Sequence, residues 1–423
     1  IAERQDWSIS RQRVWGMPIP IFYCLECNTP IINAETINIV SELFARKGSD
    51  AWYALEAEEI LPPGFSCPEC EHNKFRKEKD TMDVWFDSGS SHAAVLEVRP
   101  ELRWPADLYL EGSDQYRGWF HSSLLTAVAT KGEPPYRAVI SHGWVVDGEG
   151  KKMSKSLGNV IAPEKIIKQY GADILRLWVS SADFTSDVHL SQGILAQLIE
   201  VYRKIRNTTR YLLGNCYDFN PERDAVAYDK MEEIDRWALY RLNTLIEKVT
   251  RSYERNEYHQ FFHALHNFCV VDLSNFYLDV IKDRLYCSTV NDPIRRSAQT
   301  ALFNILENLV LLMAPILTFT ADEIWQLLPN RDKVSVQLAD WPETNPIWND
   351  QELAGRWKTL LEVREEVTWA LEQARKEKVI GGSLEAKITL WADQALYDEL
   401  ASYSDDLALI FIVSEAYLLA DSS

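Results

Sequence analysis

The sequence predicts an α/β region interrupted by a zinc-ribbon-like insertion, followed by an α-helical bundle and a small mixed α/β end. Three observations carry this expectation. Two Cys-x-x-Cys turns, Cys24–Cys27 and Cys67–Cys70, lie near the start of the chain with residues 28–66 between them. Residues 107–140 run strand, glycine turn, helix, strand. From about residue 190 to 330, apolar side chains recur at helical spacing almost without a break.

At 423 residues the chain is long enough for about two to four domains, and its texture divides it into 1–23, 24–80, 81–190, 191–345 and 346–423. With 46% apolar and 25% charged residues it has the balance of a globular protein with ample core. The longest apolar runs, such as Leu407–Val413, are too short to span a bilayer, so no membrane partner is expected. Seven cysteines, an odd number, do not make a secreted disulfide framework and point to a reducing cytoplasm. The chain starts at Ile1 rather than methionine, and a piece of a longer protein is expected. A net charge of −19 excludes a protein that coats nucleic acid through a broad positive field, but it leaves room for local contacts. The strips Arg203, Lys204, Arg206, Arg210 and Lys74, Arg76, Lys77, Lys79 can position a phosphate backbone, although such strips are more often solvated faces.

Residues 1–23 are rich in Arg, Trp and Pro, and the cysteine turns follow. Each turn presents a pair of thiolates, and four thiolates satisfy a tetrahedral Zn²⁺ with no open position. A site built from Cys24, Cys27, Cys67 and Cys70 is therefore structural, with four unmetallated thiols as the alternative. A redox pair is disfavoured, because neither motif opens a helix after a strand. Cys216, Cys269 and Cys287 sit in helical patterns without partners and read as small buried hydrophobes.

Asp107–Leu110 reads as a strand, Glu111–Gln115 as a turn, Tyr116–Thr130 as a helix ended by Gly132, and Tyr136–Ile140 as the next strand. Such a turn lies at the carboxyl edge of a parallel sheet, where ligands of open α/β folds bind. There Glu111 and Asp114 can accept hydrogen bonds from ribose hydroxyls, and Gln115 can bind an amine or a carboxylate. Asp114 serves equally well as a helix N-cap. His142 has no Ser or Cys nucleophile at motif spacing and reads as packing or ring stacking rather than as a general base.

Residues 147–159 then form a glycine-punctuated loop around Lys152-Met-Ser-Lys-Ser156. Lys152 and Lys155 each carry a compact ammonium on a flexible stem, and Gly148, Gly150 and Gly158 let the backbone approach a polyphosphate. Lysines alone make a solvated turn more often than a site. Five specified residues in this order shift the balance toward phosphate.

That string resembles the lysine loop of class I aminoacyl-tRNA synthetases. Asp83–His92, Leu110–Phe120 and Gly150–Asn159 together are similar to consecutive blocks of the bacterial isoleucyl-tRNA synthetases. Ser10–Gly16, with Pro18 and Pro20, resembles the segment that follows that family's editing insertion. The similarity runs on through Val363–Val367 and Val379–Glu385, essentially the whole chain. The valyl and leucyl enzymes share the lysine loop but differ around Trp85-Phe-Asp-Ser-Gly89. The valyl enzyme is the second assignment, and a non-catalytic tRNA-binding derivative is the third.

The resemblance implies that 81–190 is the second half of a Rossmann-like catalytic fold, that 191–345 is an anticodon-binding bundle, and that 346–423 is an incomplete junction segment. It implies ATP-dependent activation of isoleucine to isoleucyl-adenylate, with Mg²⁺ on the ATP, and transfer to tRNA(Ile). The substrate carboxylate is then the nucleophile, which accords with a sequence that shows no catalytic triad. Lys152 and Lys155 would neutralise the departing pyrophosphate, Lys155 foremost. Glu111, Gly112, Asp114, Gln115, His142, Gly143 and Val145 would line the ATP and adenylate site. Trp85, Trp119 and Gln115 would line the isoleucine pocket, with core packing the alternative for Trp119. The family's other ATP motif, His-Ile-Gly-His, and its editing domain lie upstream of the position that matches Ile1, so the chain alone is expected to be inactive. No cysteine follows Cys287 to supply the family's C-terminal zinc segment. A monomer is expected.

In the helical region Trp237, Leu239, Leu242, Leu245 and Ile246, then Phe261, Leu265, Phe268, Leu273 and Phe276, predict buried faces, and Ala301–Ile316 a buried helix ended near Pro315. By the resemblance, Arg203, Arg206, Arg210 and Arg251 beside them are the candidate tRNA contacts. Toward the end, 360–378 reads as a charged amphipathic helix and Ala386–Trp391 alternates as a strand.

Overall fold

Phe22, Ile31, Val40, Leu43, Trp52 and Phe75 are buried together with Cys24 and Cys67, so the cysteine-rich insertion closes a small core of its own. A computed structural model, describing residues 6–329 and 331–421, gives it three short antiparallel strands in the order Pro30–Ile31, Phe22–Cys24, Phe75–Lys77. A helix, Ala34–Lys47, packs on them; Asn33 caps it by accepting from the Thr36 amide at 2.9 Å while the Thr36 hydroxyl accepts from the Asn33 amide. The ribbon expected from cysteine spacing is thus a ribbon with a helical cover. The Trp52 indole donates to the Glu78 carbonyl at 3.0 Å, tying that cover to the end of the insertion.

This insertion belongs to the first of two compact units, residues 1–143. In the same unit Ala106–Gly112 pairs in parallel with Tyr136–His142, Gly112 opposite His142. The connecting helix Trp119–Lys131 ends at Gly132, whose φ of 80° is left-handed. Its start differs from the expectation: Ser113–Arg117 is a 3₁₀ turn, and the α-helix begins only after Gly118. A second helix, Val84–Gly89, crosses it so closely that a Cβ on Gly89 would lie 2.8 Å from the Ser122 carbonyl carbon. Only glycine permits that crossing.

The second unit, residues 144–423, is mainly helical. Gln192–Asn215, Glu233–Glu254, Tyr258–Asn267, Pro293–Met313 and Gln351–Lys376 bury the predicted stripes, including Trp237, Leu242, Phe261, Leu265 and Phe276. Phe268–Tyr277 is a π-helix rather than an α-helix, yet Phe268, Leu273 and Phe276 still reach the core. Two parallel strands, Lys387–Ala392 and Glu415–Ala420, finish the unit. One continuous core runs from Ile166 to Val413, so the mixed end packs on the bundle: Trp357 stacks on Trp237 with ring centroids 5.4 Å apart, and its indole donates to Glu233 at 3.0 Å. Cys216 and Cys269 are buried, as expected, and burial pushes each thiol up to about 12. Cys287 is exposed, contrary to its reading as a buried hydrophobe, because it ends the short helix Lys282–Cys287 on the outer surface.

Asp235, fully buried, is the polar centre of this core. It accepts from the Tyr277 hydroxyl at 2.7 Å, the Ser297 hydroxyl at 2.6 Å and the Arg284 guanidinium at 2.9 Å. Removing the carboxylate strands a buried guanidinium. Asp235→Ala is therefore expected to lower stability by about 3–5 kcal/mol, read as a reduced urea midpoint with an unchanged slope.

Candidate functional site

The four predicted zinc ligands converge. The sulfurs of Cys24, Cys27, Cys67 and Cys70 all lie within 4.8 Å of one another, and the closest pairs are 3.4–3.5 Å apart. Four sulfurs about 2.3 Å from a tetrahedral Zn²⁺ stand about 3.8 Å apart, so the donor set fits that ion. The two turns are built alike. In each, the first cysteine's carbonyl accepts from the residue after the second cysteine, Asn28 at 3.0 Å and Glu71 at 2.9 Å, and that residue has φ near 60°. The Thr29 hydroxyl, 3.1 Å from Cys27 Sγ, contributes most to lowering that thiol to about 6, while, against the lowering hydrogen bond of the His72 backbone, the Cys27 sulfur helps push Cys70 up to about 12.

The crevice residues of the first unit fall into two groups. Gly112, Asp114 and His142 sit together at the carboxyl ends of the paired strands; a Cβ on Gly112 would lie 2.9 Å from Asp114 Oδ1 and 3.5 Å from His142 Cε1. Glu111 lies opposite Ser141 on the same strand end, exposed. His142 Nδ1 lies 2.9 Å from the Gly143 carbonyl, and among the described residues the ring makes no hydrogen bond to a Ser or Cys side chain. The second group is Trp85, Gln115 and Trp119, gathered around Gly118, where a Cβ would lie 2.9 Å from the Trp85 ring. Gln115 Oε1 accepts the Trp119 amide at 2.9 Å, so Gln115 rather than Asp114 caps the helix start. Its Nε2 donor remains, 3.5 Å from Asp114 Oδ2. Trp119 stacks on Tyr109 at 4.1 Å and donates to the Ser88 carbonyl and the Ser91 hydroxyl, each at 3.1 Å, which fixes its ring against the unit's own side chains. Trp85 stays 41% exposed, its helix capped by Asp83, which also takes hydrogen bonds from Trp7 and Arg11. Asp83 carried no signal in the sequence beyond its place at the head of a motif block.

In the second unit Val145–Val146 pairs in parallel with Val188–His189, and the lysine loop follows. Asp147 and Asn159 bracket it. Asp147 Oδ1 accepts the amides of Glu149 and Lys151 at 3.0 and 2.9 Å, and its Oδ2 accepts Asn159 Nδ2 at 2.9 Å. The Asn159 hydrogen bond, then that of the Lys151 amide, holds the Asp147 carboxyl below its usual range. Lys152 Nζ lies 3.7 Å above the Trp144 ring, a cation–π contact that sequence reasoning missed. Lys155 is exposed, and among the described residues its ammonium has no hydrogen-bond or ion-pair partner.

Of the four candidate tRNA arginines, three are engaged. Arg203 pairs with Glu200 at 2.6 Å and Arg251 with Glu247 at 2.7 Å, while Arg206 makes a bidentate pair with Glu323 at 2.8 and 2.9 Å. Arg210 has no ion-pair partner among the described residues and lines a cleft of about 640 Å³ with Asn207, Asn215, Tyr217 and Tyr286. In the 74–79 strip only Lys77 turns inward, donating to the Trp52 and Leu55 carbonyls; Lys74, Arg76 and Lys79 are exposed, with Arg76 3.9 Å over the Tyr23 ring.

Comparison with known proteins adds to this geometry. Residues 1–191 match the tRNA synthetases class I (I, L, M and V), and residues 235–390 match the anticodon-binding domain of tRNA ligases. The chain is 59% identical over 418 residues to a protein of Natranaerobius thermophilus named isoleucine–tRNA ligase, covering 99% of this chain and 45% of that protein. Its identity to the isoleucine–tRNA ligase of Caldanaerobacter subterraneus is 57%, again 99% of this chain and 45% of the relative, and to that of Geobacter sulfurreducens 55%, covering 100% and 46%. The chain thus spans about half the length of the curated relatives it matches. Among solved structures, the fold is similar to the LeuRS of an Agrobacterium radiobacter LeuRS–tRNA–LeuAMS ternary complex, with TM-score 0.60, 23% identity, and coverage of 82% of this chain and 43% of that one. Mycobacterium tuberculosis methionyl-tRNA synthetase, solved with methionyl-adenylate, is similar with TM-score 0.50, 20% identity and coverage of 63% and 53%. Among the described residues no helix is long and apolar enough to cross a membrane.

Proposed function

Because the chain belongs to the class I tRNA synthetases, we propose that it carries the pyrophosphate-facing and tRNA-facing part of an isoleucine–tRNA ligase, with residues 81–190 in the nucleotide site and 191–345 on the tRNA. The observation that carries this reading is the 55–59% identity, over nearly the whole chain, to relatives named isoleucine–tRNA ligase.

The reaction is the one the family resemblance implies, and the side chains are read against it. An isoleucine carboxylate oxygen attacks the α-phosphorus of ATP, the bond to the bridging oxygen breaks, and pyrophosphate leaves; a tRNA ribose hydroxyl then displaces AMP from the acyl carbon. Lys155, unpaired on an exposed loop, meets the charge that builds on pyrophosphate; Mg²⁺ bound with the ATP would supply further positive charge there. Lys152 contributes after leaving Trp144. Glu111 and Asp114 accept from the ribose hydroxyls, and Gly112, His142, Gly143 and Val145 border the adenosine. Gln115 has its oxygen committed to the Trp119 amide, so only its N–H groups are left and they suit the isoleucine carboxylate. Trp85 and Trp119 wall the aliphatic side chain. An apolar wall separates isoleucine from valine by only about 1–3 kcal/mol.

Cys24, Cys27, Cys67 and Cys70 would hold Zn²⁺, which would cross-link the two turns without entering the reaction. Arg210 is the arginine best placed for tRNA, because the other three are already paired. We take the protein to be cytoplasmic, in keeping with its uncrosslinked cysteines, and a monomer, as the family resemblance implies.

The test is isoleucine-dependent ATP–pyrophosphate exchange. It is run on this chain alone and on an extended protein, in which the chain is joined to the part of the Natranaerobius relative that precedes the matched region. Exchange is expected only in the extended protein, with isoleucine preferred over valine. A preference for valine would move the assignment to the valyl enzyme. Silence in both, with tRNA binding retained, would leave a tRNA-binding protein.

A further inference from the structure

We propose that Asp147 and Asn159 form a clasp that presets the lysine loop, which makes Asn159 a positioning residue for Lys155; its catalytic part rests on the reading of Lys155 as the pyrophosphate ligand. The two residues stand at the two mouths of the loop, and their side chains meet at 2.9 Å. Each also reaches into it. Asp147 holds the amides of Glu149 and Lys151 on the way in, and Asn159 Oδ1 accepts the amide of Ser154 at 2.9 Å on the way out. Asn159 Nδ2 lies 3.4 Å from the Lys152 carbonyl as well. One carboxylate and one carboxamide thus fix the backbone before Lys152 and between the two lysines.

The remaining contacts complete the frame. The Asp147 carbonyl lies 3.2 Å from His189 Nδ1, which anchors one mouth to the adjoining strand. Ser154 Oγ accepts the Leu157 amide at 3.3 Å, and the Gly158 amide donates to the Lys155 carbonyl at 3.3 Å, with Gly158 at φ 68°. Lys155 therefore has a held backbone and a free ammonium. A polyphosphate that binds there meets a loop already ordered, and the conformational cost is not charged against binding.

The pair is open to exchange. Asn159→Asp puts two carboxylates face to face and removes the donor. Adding Asp147→Asn restores it, because Asn at 147 still accepts the Glu149 and Lys151 amides and donates to Asp at 159, which still accepts the Ser154 amide. In the extended protein, Asn159→Asp is expected to lower kcat for exchange about 20-fold with KM for isoleucine nearly unchanged, and the double variant to recover to within about 3-fold of the parent. In the 423-residue chain itself, trypsin is expected to nick after Lys151, Lys152 and Lys155 about ten times faster in the single variant, and at the parental rate in the double. Parental nicking and exchange in Asn159→Asp, or a double variant no better than the single in either assay, would overturn the clasp. If the extended parent shows no exchange, the functional reading fails while the trypsin rates still decide the clasp.

Discussion

Lys155→Ala in the extended protein is expected to cut isoleucine-dependent ATP–pyrophosphate exchange by about 10²–10³-fold, the usual cost of removing one group aimed at transition-state charge. The size follows from the geometry. The ammonium has no partner to give up among the described residues, so its whole interaction is available to the phosphate. For the same reason the substitution leaves no hole, and thermal unfolding of the variant should match the parent. Lys152→Ala is expected to cost less. Its ammonium already rests 3.7 Å over Trp144, a contact worth about 0.5–1 kcal/mol at an exposed site, which must be surrendered before it helps pyrophosphate. Steady-state exchange of the two variants side by side checks the order. Equal losses, or a larger loss for Lys152, would contradict it.

Cys67→Ser should have the second large effect, on folding instead of rate. Cys67 is 1% exposed and belongs both to the thiol cluster and to the insertion's own core. That core is small, and small domains of this kind draw on metal binding for much of their folding free energy, apparent values being about 10–16 kcal/mol for structural zinc. The expected result is loss of the one zinc per chain, titrated with a chromophoric chelator after thiol modification, together with rapid proteolysis confined to residues 22–78. Cys216→Ser, in the helical unit, should leave the zinc count unchanged. A parent chain without zinc would show that the four thiols stand unmetallated.

What the sequence made legible was local. The cysteine turns, the strand from 107 and the lysine loop are each specified by residues within a few positions of one another, and each appears where the spacing put it. What escaped was set by distance along the chain. Arg206 reads as a free tRNA contact until the fold brings Glu323 to it from a separate helix, and Lys77 reads as a surface cation until the Trp52 and Leu55 carbonyls close over it. Gln115 reads as a ligand only, because nothing in its neighbours reveals that the helix starts three residues later than its apolar pattern and needs a cap there. The π-helix at Phe268–Tyr277 leaves no trace in the pattern, since widening one turn changes hydrogen bonds without changing which residues are apolar.

The stacking of Trp357 on Trp237 carries a consequence for synthesis. About 120 residues separate the two rings in sequence, and ribosomes add about 5–20 residues per second. For roughly ten seconds the nascent bundle therefore presents an indole that its eventual cover has yet to reach. A pause in translation near residue 350 would prolong that interval, and chaperone capture during synthesis should peak there and fall once Trp357 has emerged from the exit tunnel.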